Sequence, residues 1–162
     1  NTDVFGALES IKNKRKKNII IFGFGGAGEA IFKCIYKLYP KSKFQVVSKK
    51  KNIDSFNKSR VKFIKKIDQD YLSKADLFIN CSPLGSNLKK KFLKETPLKK
   101  IHFQNINSNI LVFDIVYKPS KTLLSKLCKN FSIKYINGLK MNTVQAQKAL
   151  NIIQKNYKID AV

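Results

Sequence analysis

Apolar positions along the chain fall into two alternating patterns. Val4, Phe5, Ala7, Leu8 and Ile11 recur at helical spacing, predicting an amphipathic helix over 3–12 with Thr2 as a possible N-cap. The polar run from Lys12 to Asn18 ends it. Asn18 to Phe22 is then a short run rich in β-branched residues without polar alternation, as expected of a central parallel strand buried on both faces. Beyond a glycine-rich turn, Ala27, Ala30, Ile31, Cys34, Ile35 and Leu38 mark one face of a helix that stops near Pro40.

The alternation continues. Strands are predicted at Phe44–Val47, Val61–Ile64, Asp76–Asn80, Ile110–Phe113 and Ile133–Ile136, with helical or irregular segments between them. A last helix is expected from Asn142 to Tyr157. Strands alternating with helices at these lengths imply a Rossmann-like, doubly wound parallel α/β sheet in a three-layer αβα arrangement. Strand order 3-2-1-4-5-6 is the expected one. The 162 residues suit one domain, without internal repeat.

The turn after the first strand is Gly23-Phe24-Gly25-Gly26-Ala27-Gly28. A Gly-x-Gly-x-x-Gly pattern alone is weak, but here a buried strand precedes it and an amphipathic helix follows. Gly23 permits the tight turn, Gly25 lets backbone approach a phosphate, and Gly28 allows close helix–strand packing. Phosphate oxygens then meet unpaired N–H groups at the positive end of the helix. The end of the second strand selects the nucleotide. An Asp or Glu there would bond the ribose 2′-hydroxyl of NAD, whereas this chain has Ser48-Lys49-Lys50-Lys51 and no acid before Asp54. A hydroxyl and lysines attract a 2′-phosphate that a carboxylate would repel, so NADP(H) is the expected cofactor.

A net charge of +23 raises nucleic acid as a partner, but only Arg15 and Arg60 of the 33 Lys and Arg residues are arginine. Bidentate base and phosphate recognition favours arginine, and single-strand binders interleave aromatics with basic residues. The lysines are instead spread from Lys12 to Lys158, as on a solvated surface, and nucleic-acid binding is not expected. Cys34, Cys81 and Cys128 are isolated and His102 is the single histidine, so no metal site is expected. Buried free thiols and a cytoplasmic protein follow. No apolar run is long enough to span a bilayer and no leader opens the sequence, so neither membrane insertion nor secretion is expected. The first residue, Asn1, suggests a piece of a longer protein.

Four further segments taken in order are more specific than any one of them. Asn1-Thr2-Asp3 opens a helix ahead of the glycine loop. Asn80-Cys81-Ser82-Pro83-Leu84-Gly85 follows the fourth strand. Asp114-Ile115-Val116-Tyr117-Lys118-Pro119 precedes Thr122-Leu123-Leu124, and Asn137-Gly138-Leu139-Lys140-Met141 precedes Gln145-Ala146. With the glycine loop, these segments resemble the shikimate dehydrogenases from their mid-chain hinge almost to the C-terminus. The resemblance covers essentially the whole chain.

That resemblance implies reversible hydride transfer between NADPH and 3-dehydroshikimate, giving shikimate, with a Lys–Asp pair handling the proton. Asp3 matches the aspartate of the pair and would also bond substrate, while Tyr117 and Gln145 match substrate-contacting positions. Gly23, Phe24, Gly25, Gly26 and Ala27 would take the pyrophosphate. Ser48, Lys49 and Lys50, standing where the family usually has Asn-Arg-Thr, would take the 2′-phosphate; lysine cannot stack on adenine as a guanidinium does. Ile115 and Gly138 match positions beside the nicotinamide, and Met141 would line the same pocket. Glu29, Ser86 and Lys140 depart from the family's usual residues.

On this mapping residues 1–17 are a hinge helix toward an N-terminal substrate domain, 18–141 are the NADP-binding domain, and 142–162 form a helix returning toward the substrate domain. The family's lysine and the serines that hold the substrate carboxylate belong to that N-terminal domain, so this piece alone is expected to bind NADPH weakly and to turn over nothing. A quinate-type paralogue and a non-catalytic NADP-binding module are the alternatives, and a monomer or homodimer is expected.

Overall fold

The computed structural model describes residues 11, 16–49 and 56–139. Asp3, Lys50, Met141, Gln145 and the helices expected over 3–12 (apart from Ile11) and 142–157 lie outside the described residues. The described chain forms six strands, β1 (Asn18–Phe22), β2 (Lys43–Val47), β3 (Val61–Ile64), β4 (Leu77–Asn80), β5 (Leu111–Asp114) and β6 (Lys134–Asn137). Four α-helices accompany them, α1 (Gly26–Leu38), α2 (Gln69–Leu72), α3 (Lys90–Leu93) and α4 (Leu123–Asn130), with a 3-10 turn over Lys100–Asn105. The strands run in the order β3-β2-β1-β4-β5-β6, and each neighbouring pair is parallel. This is the predicted doubly wound order.

The central strands are apolar throughout because both of their faces are covered. Ile19 and Ile21 point into one core with Phe44, Val46, Ile79 and Phe113, under Ile31, Phe32 and Ile35 of α1. Ile20, Phe78 and Val112 point the other way, to Leu72, Phe103, Leu124 and Cys128. The two cores are the two helix–sheet interfaces of the three-layer arrangement, and Ile19, Ile20, Ile21, Phe78 and Ile79 are fully buried. Each such side chain contributes roughly 2–3 kcal/mol of hydrophobic stabilisation.

The buried face of α1 is Gly28, Ile31, Phe32 and Ile35, rotated from the expected one. Phe32 turns inward and meets Phe24, Phe44 and Phe56 edge-on, with ring centroids 5.6, 5.5 and 4.8 Å away. Leu38 is exposed and Cys34 only half-buried, which corrects the expectation of a buried Cys34. Phe32 takes the inward position because Phe24, Phe44 and Phe56 surround it there. Cys81 and Cys128 are buried as expected.

Several polar residues fix the strand starts. Asp76, expected as the first residue of the fourth strand, instead accepts from the backbone N–H of Lys17 and Asn18 at 2.8 and 3.0 Å and so anchors the entry to β1. The Arg60 guanidinium lies 4.2 Å over the Tyr36 ring and donates to the Tyr39 and Ser42 carbonyls at 2.9 and 3.2 Å, tying the start of β3 to the end of α1. Tyr39 in turn donates to the Ile11 carbonyl at 3.1 Å, and Ile11 is itself buried in the core beneath α1. Among the described residues no helix is long and apolar enough to cross a membrane.

Candidate active site at the carboxyl ends of the strands

In a sheet of this order the connections leave β1 and β4 in opposite directions, opening a crevice beyond their carboxyl ends. The glycine loop lies on one side of that crevice. Gly23 has φ +94°, and its N–H donates to the Val47 carbonyl at 2.9 Å. Only glycine suits this position, since a Cβ would also sit 2.9 Å from the Ser82 nitrogen. The loop is therefore pressed against the connection that leaves β4. Phe24 sends its ring into the core, 3% exposed, so only its backbone faces the crevice.

Gly25 is the N-cap of α1 in extended backbone, and no side chain caps the helix. The first-turn N–H groups thus face outward, and a Cβ on Gly25 or Gly26 would meet nothing within 4 Å. A pyrophosphate fits this arrangement, with open space above the loop and donors at the positive helix end. Gly28 is different: a Cβ there would collide with the Gly23 carbonyl oxygen and lie 3.1 Å from the Cys81 Cβ. Glu29, in the first turn, is paired with Lys33 one turn on, 2.7 Å from carboxylate to ammonium. Ser48 follows β2 directly, its N–H bonded to the Ile64 carbonyl at 2.9 Å, and Lys49 beside it is exposed.

On the other side of the crevice lies a cavity of about 330 Å³. Its walls come from two loops: Cys81, Ser82, Pro83 and Ser86 after β4, and Ile115, Val116 and Tyr117 after β5. The structure thus brings Ile115 and Tyr117 together, with Tyr117 exposed at the mouth. Gly138 stands behind Ile115, where a Cβ would collide with the Ile115 carbonyl oxygen. Its glycine is required by that backbone contact.

The sequence reading did not single out the group between the two loops. Asn80 and Asp114 end β4 and β5 at paired register positions, and both are fully buried. Asp114 accepts from Asn80 Nδ2 at 2.9 Å, Val116 N–H at 3.1 Å, the Tyr135 hydroxyl at 3.0 Å and the Thr122 hydroxyl at 3.4 Å. Asn80 Oδ1 accepts from the N–H and hydroxyl of Ser82, at 3.0 and 2.6 Å. Burial pushes the Asp114 carboxyl up to about 6, against the four hydrogen bonds that favour its ionised form. Burial, and then the nearby Asp114 charge, push the Cys81 thiol well above its ordinary value. Cys81 is therefore an apolar wall and not a nucleophile. The signal available in the sequence was a polar residue ending each of two otherwise apolar neighbouring strands.

No family model matches the chain. Among curated proteins, it is 32% identical over 163 residues to shikimate dehydrogenase (NADP(+)) of Clostridium botulinum strain Hall, covering 94% of this chain and 58% of that protein. It is 29% identical over 162 residues to the enzyme of the same name from Prochlorococcus marinus strain MIT 9215, covering 93% and 56%. The crystal structure of shikimate dehydrogenase 1 from Peptoclostridium difficile superposes with a TM-score of 0.70 at 26% identity, over 96% of this chain and 55% of that one. The chain is similar to these shikimate dehydrogenases over nearly all of its own length. It spans a little over half the length of the curated shikimate dehydrogenases it matches.

Proposed function

We propose that this chain is the NADP-binding part of a shikimate dehydrogenase, catalysing reversible hydride transfer between NADPH and 3-dehydroshikimate. The observation that supports this most directly is the crevice itself. An uncapped glycine loop opens on one side, a hydroxyl and a lysine follow β2 where an NAD-binding acid would stand, and a walled cavity lies on the other side. When bound, the cofactor would supply a hydride to the substrate carbonyl carbon, and the carbonyl oxygen would take a proton.

This chain's residues would bind and orient. The first-turn N–H groups of α1 hold the pyrophosphate between Gly23 and Ala27, and Ser48, Lys49 and Lys50 hold the 2′-phosphate. Ile115, Gly138 and Met141 line the nicotinamide end, with Ile115 excluding water from one side of the reacting centre. The Tyr117 hydroxyl at the mouth of the cavity and Gln145 bond the ring substituents. Asp3 holds the proton-transferring lysine, which an N-terminal substrate domain would contribute.

The test is the full-length protein assayed for NADPH consumption with 3-dehydroshikimate, and for NADP+ reduction with shikimate and with quinate. Turnover with shikimate, preferred over quinate and lost in Asp3→Asn, is the expected result. Turnover with quinate alone would reassign the substrate, and tight NADPH binding without turnover on either acid would make the protein a binding module. The 162-residue chain alone is expected to bind NADPH weakly and to reduce nothing.

A further inference from the structure

The two loops that wall the cavity belong to different strands, yet one buried group joins them. Asp114 holds the β5 loop through Val116 N–H and the β4 loop through Asn80, which in turn holds Ser82 by two hydrogen bonds. Two further ties cross the same gap: Ile115 N–H donates to the Asn80 carbonyl at 3.1 Å, and Asn87 N–H donates to the Lys118 carbonyl at 3.2 Å. Behind Asp114, the Tyr135 hydroxyl from β6 and the Thr122 hydroxyl fix its second oxygen. Thr122 is also the N-cap of α4, accepting from Ser125 N–H at 3.1 Å. Both carboxylate oxygens are thus saturated with donors from four different segments.

A buried carboxylate is expensive to desolvate, and an apolar pair at these register positions would pack the same strands at lower cost. What the pair adds is geometry. We propose that Asp114 is a positioning residue that makes the β4 and β5 loops one unit, so that the cavity walls keep a fixed separation where the nicotinamide and the substrate ring meet. Asp114 acts through Asn80, Ser82 and Val116 and touches neither reactant. This rests on the dehydrogenase reading above. Hydride transfer is steep in donor–acceptor placement, and a misplacement near 1 Å costs on the order of a hundredfold in rate. Ser48-Lys49 lie on the far side of the crevice, and the phosphate-binding loop meets the clamp only where Gly23 and Gly28 pack against Cys81 and Ser82, without a hydrogen bond to Asn80 or Asp114. Loss of the clamp therefore falls on transfer more than on cofactor affinity.

The experiment uses the full-length protein and two variants. Asp114→Asn keeps the shape but removes the charge, whereas Tyr135→Phe keeps the ring packing and removes one donor. In amide hydrogen exchange, both variants should accelerate Ser82 and Val116 together by about tenfold or more, leaving β1 and α1 as in the wild type. In steady-state assays, kcat should fall by on the order of tenfold to a hundredfold with KM for NADPH changed less than about threefold, Tyr135→Phe showing the smaller fall. Acceleration in the β5 loop alone, or a rise in KM for NADPH with unchanged kcat, would overturn the proposal. If Asp114→Asn loosens every amide alike, Tyr135→Phe decides: both loops exchanging as in the wild type overturns it. A wild-type protein without turnover would refute the dehydrogenase reading, while the exchange data would still decide whether the two loops move as one.

Discussion

The carbonyl oxygen of Gly23 occupies the place that a β-carbon on Gly28 would need, so the two ends of the glycine loop are in backbone contact. Gly28→Ala should force the loop open or shift α1 off the sheet. A loss of roughly 1–3 kcal/mol in urea denaturation is expected, the cost typical of overpacking. Gly25→Ala meets open space in an allowed conformation and should leave stability unchanged within about 0.5 kcal/mol. Its effect should appear in an NADPH fluorescence titration instead, because the new methyl stands where the pyrophosphate would approach. Equal destabilisation by both variants would contradict this account of the loop.

Glu29 places a negative charge in the first turn of α1, beside the proposed phosphate site, and Lys33 answers it at 2.7 Å. Glu29→Gln should tighten NADPH by several-fold at low salt, with the gain fading as ionic strength rises. Lys33→Met should weaken NADPH, and the double variant should return toward the wild type. Both side chains are partly exposed, so denaturation midpoints should hardly move. A Glu29→Gln variant binding NADPH no better at low salt would show that Glu29 does not act on the phosphates.

The Asp114 carboxyl, pushed up to about 6 from 3.8, binds its proton more tightly in the folded than in the unfolded protein. Stability contributed by that proton is present at low pH and is lost as pH rises from about 4 through 6. Urea denaturation of wild type and Asp114→Asn at a series of pH values should therefore show their difference shifting against the wild type across that window. The total shift should be on the order of 2–3 kcal/mol. A difference independent of pH would mean that Asp114 is not the desolvated carboxylate described.

Thiol labelling should follow burial. Cys34 is half-buried, while Cys81 and Cys128 are enclosed, and burial pushes the Cys128 thiol up to about 12. Native maleimide modification read by mass spectrometry should mark Cys34 first, with the other two reacting only on unfolding. Early labelling of Cys81 would show that the wall between the glycine loop and the β4 loop opens readily.

The sheet was legible because its signals are local. The short apolar runs at Ile19–Ile21 and Leu77–Ile79, bounded by polar or glycine residues, fit strands covered on both faces, and the glycine loop fixes where the first of them ends. Differences of one residue at β2, β4, β5 and β6 fall where polar residues sit at strand ends. Asp76 reads as a strand start but serves as an anchor for β1, and Asp114 reads as the residue after a strand but pairs within it. The inward turn of Phe32 was hidden because the aromatic cluster that receives it is assembled from β2, the segment before β3 and the glycine loop. For the same reason the Asn80–Asp114 clamp was invisible: its partners are 34 residues apart and meet only once the strands are in register. The turn at Gly23 and its close approach to Gly28 are legible because the positive φ and the Gly23–Gly28 contact arise within a single turn, whereas their packing against Cys81 and Ser82 is not.

The strand order also divides labour. The residues expected to discriminate between nucleotides follow β2, on one side of β1, while the loops proposed to face the reacting ends follow β4 and β5 on the other. Between them stands a rigid apolar partition of Ile19, Ile20 and Ile21. Nucleotide preference and chemistry can then be re-engineered separately. Exchanging Ser48-Lys49 for an acid-bearing pair retunes one compartment of the crevice while the clamp keeps the other in its original shape.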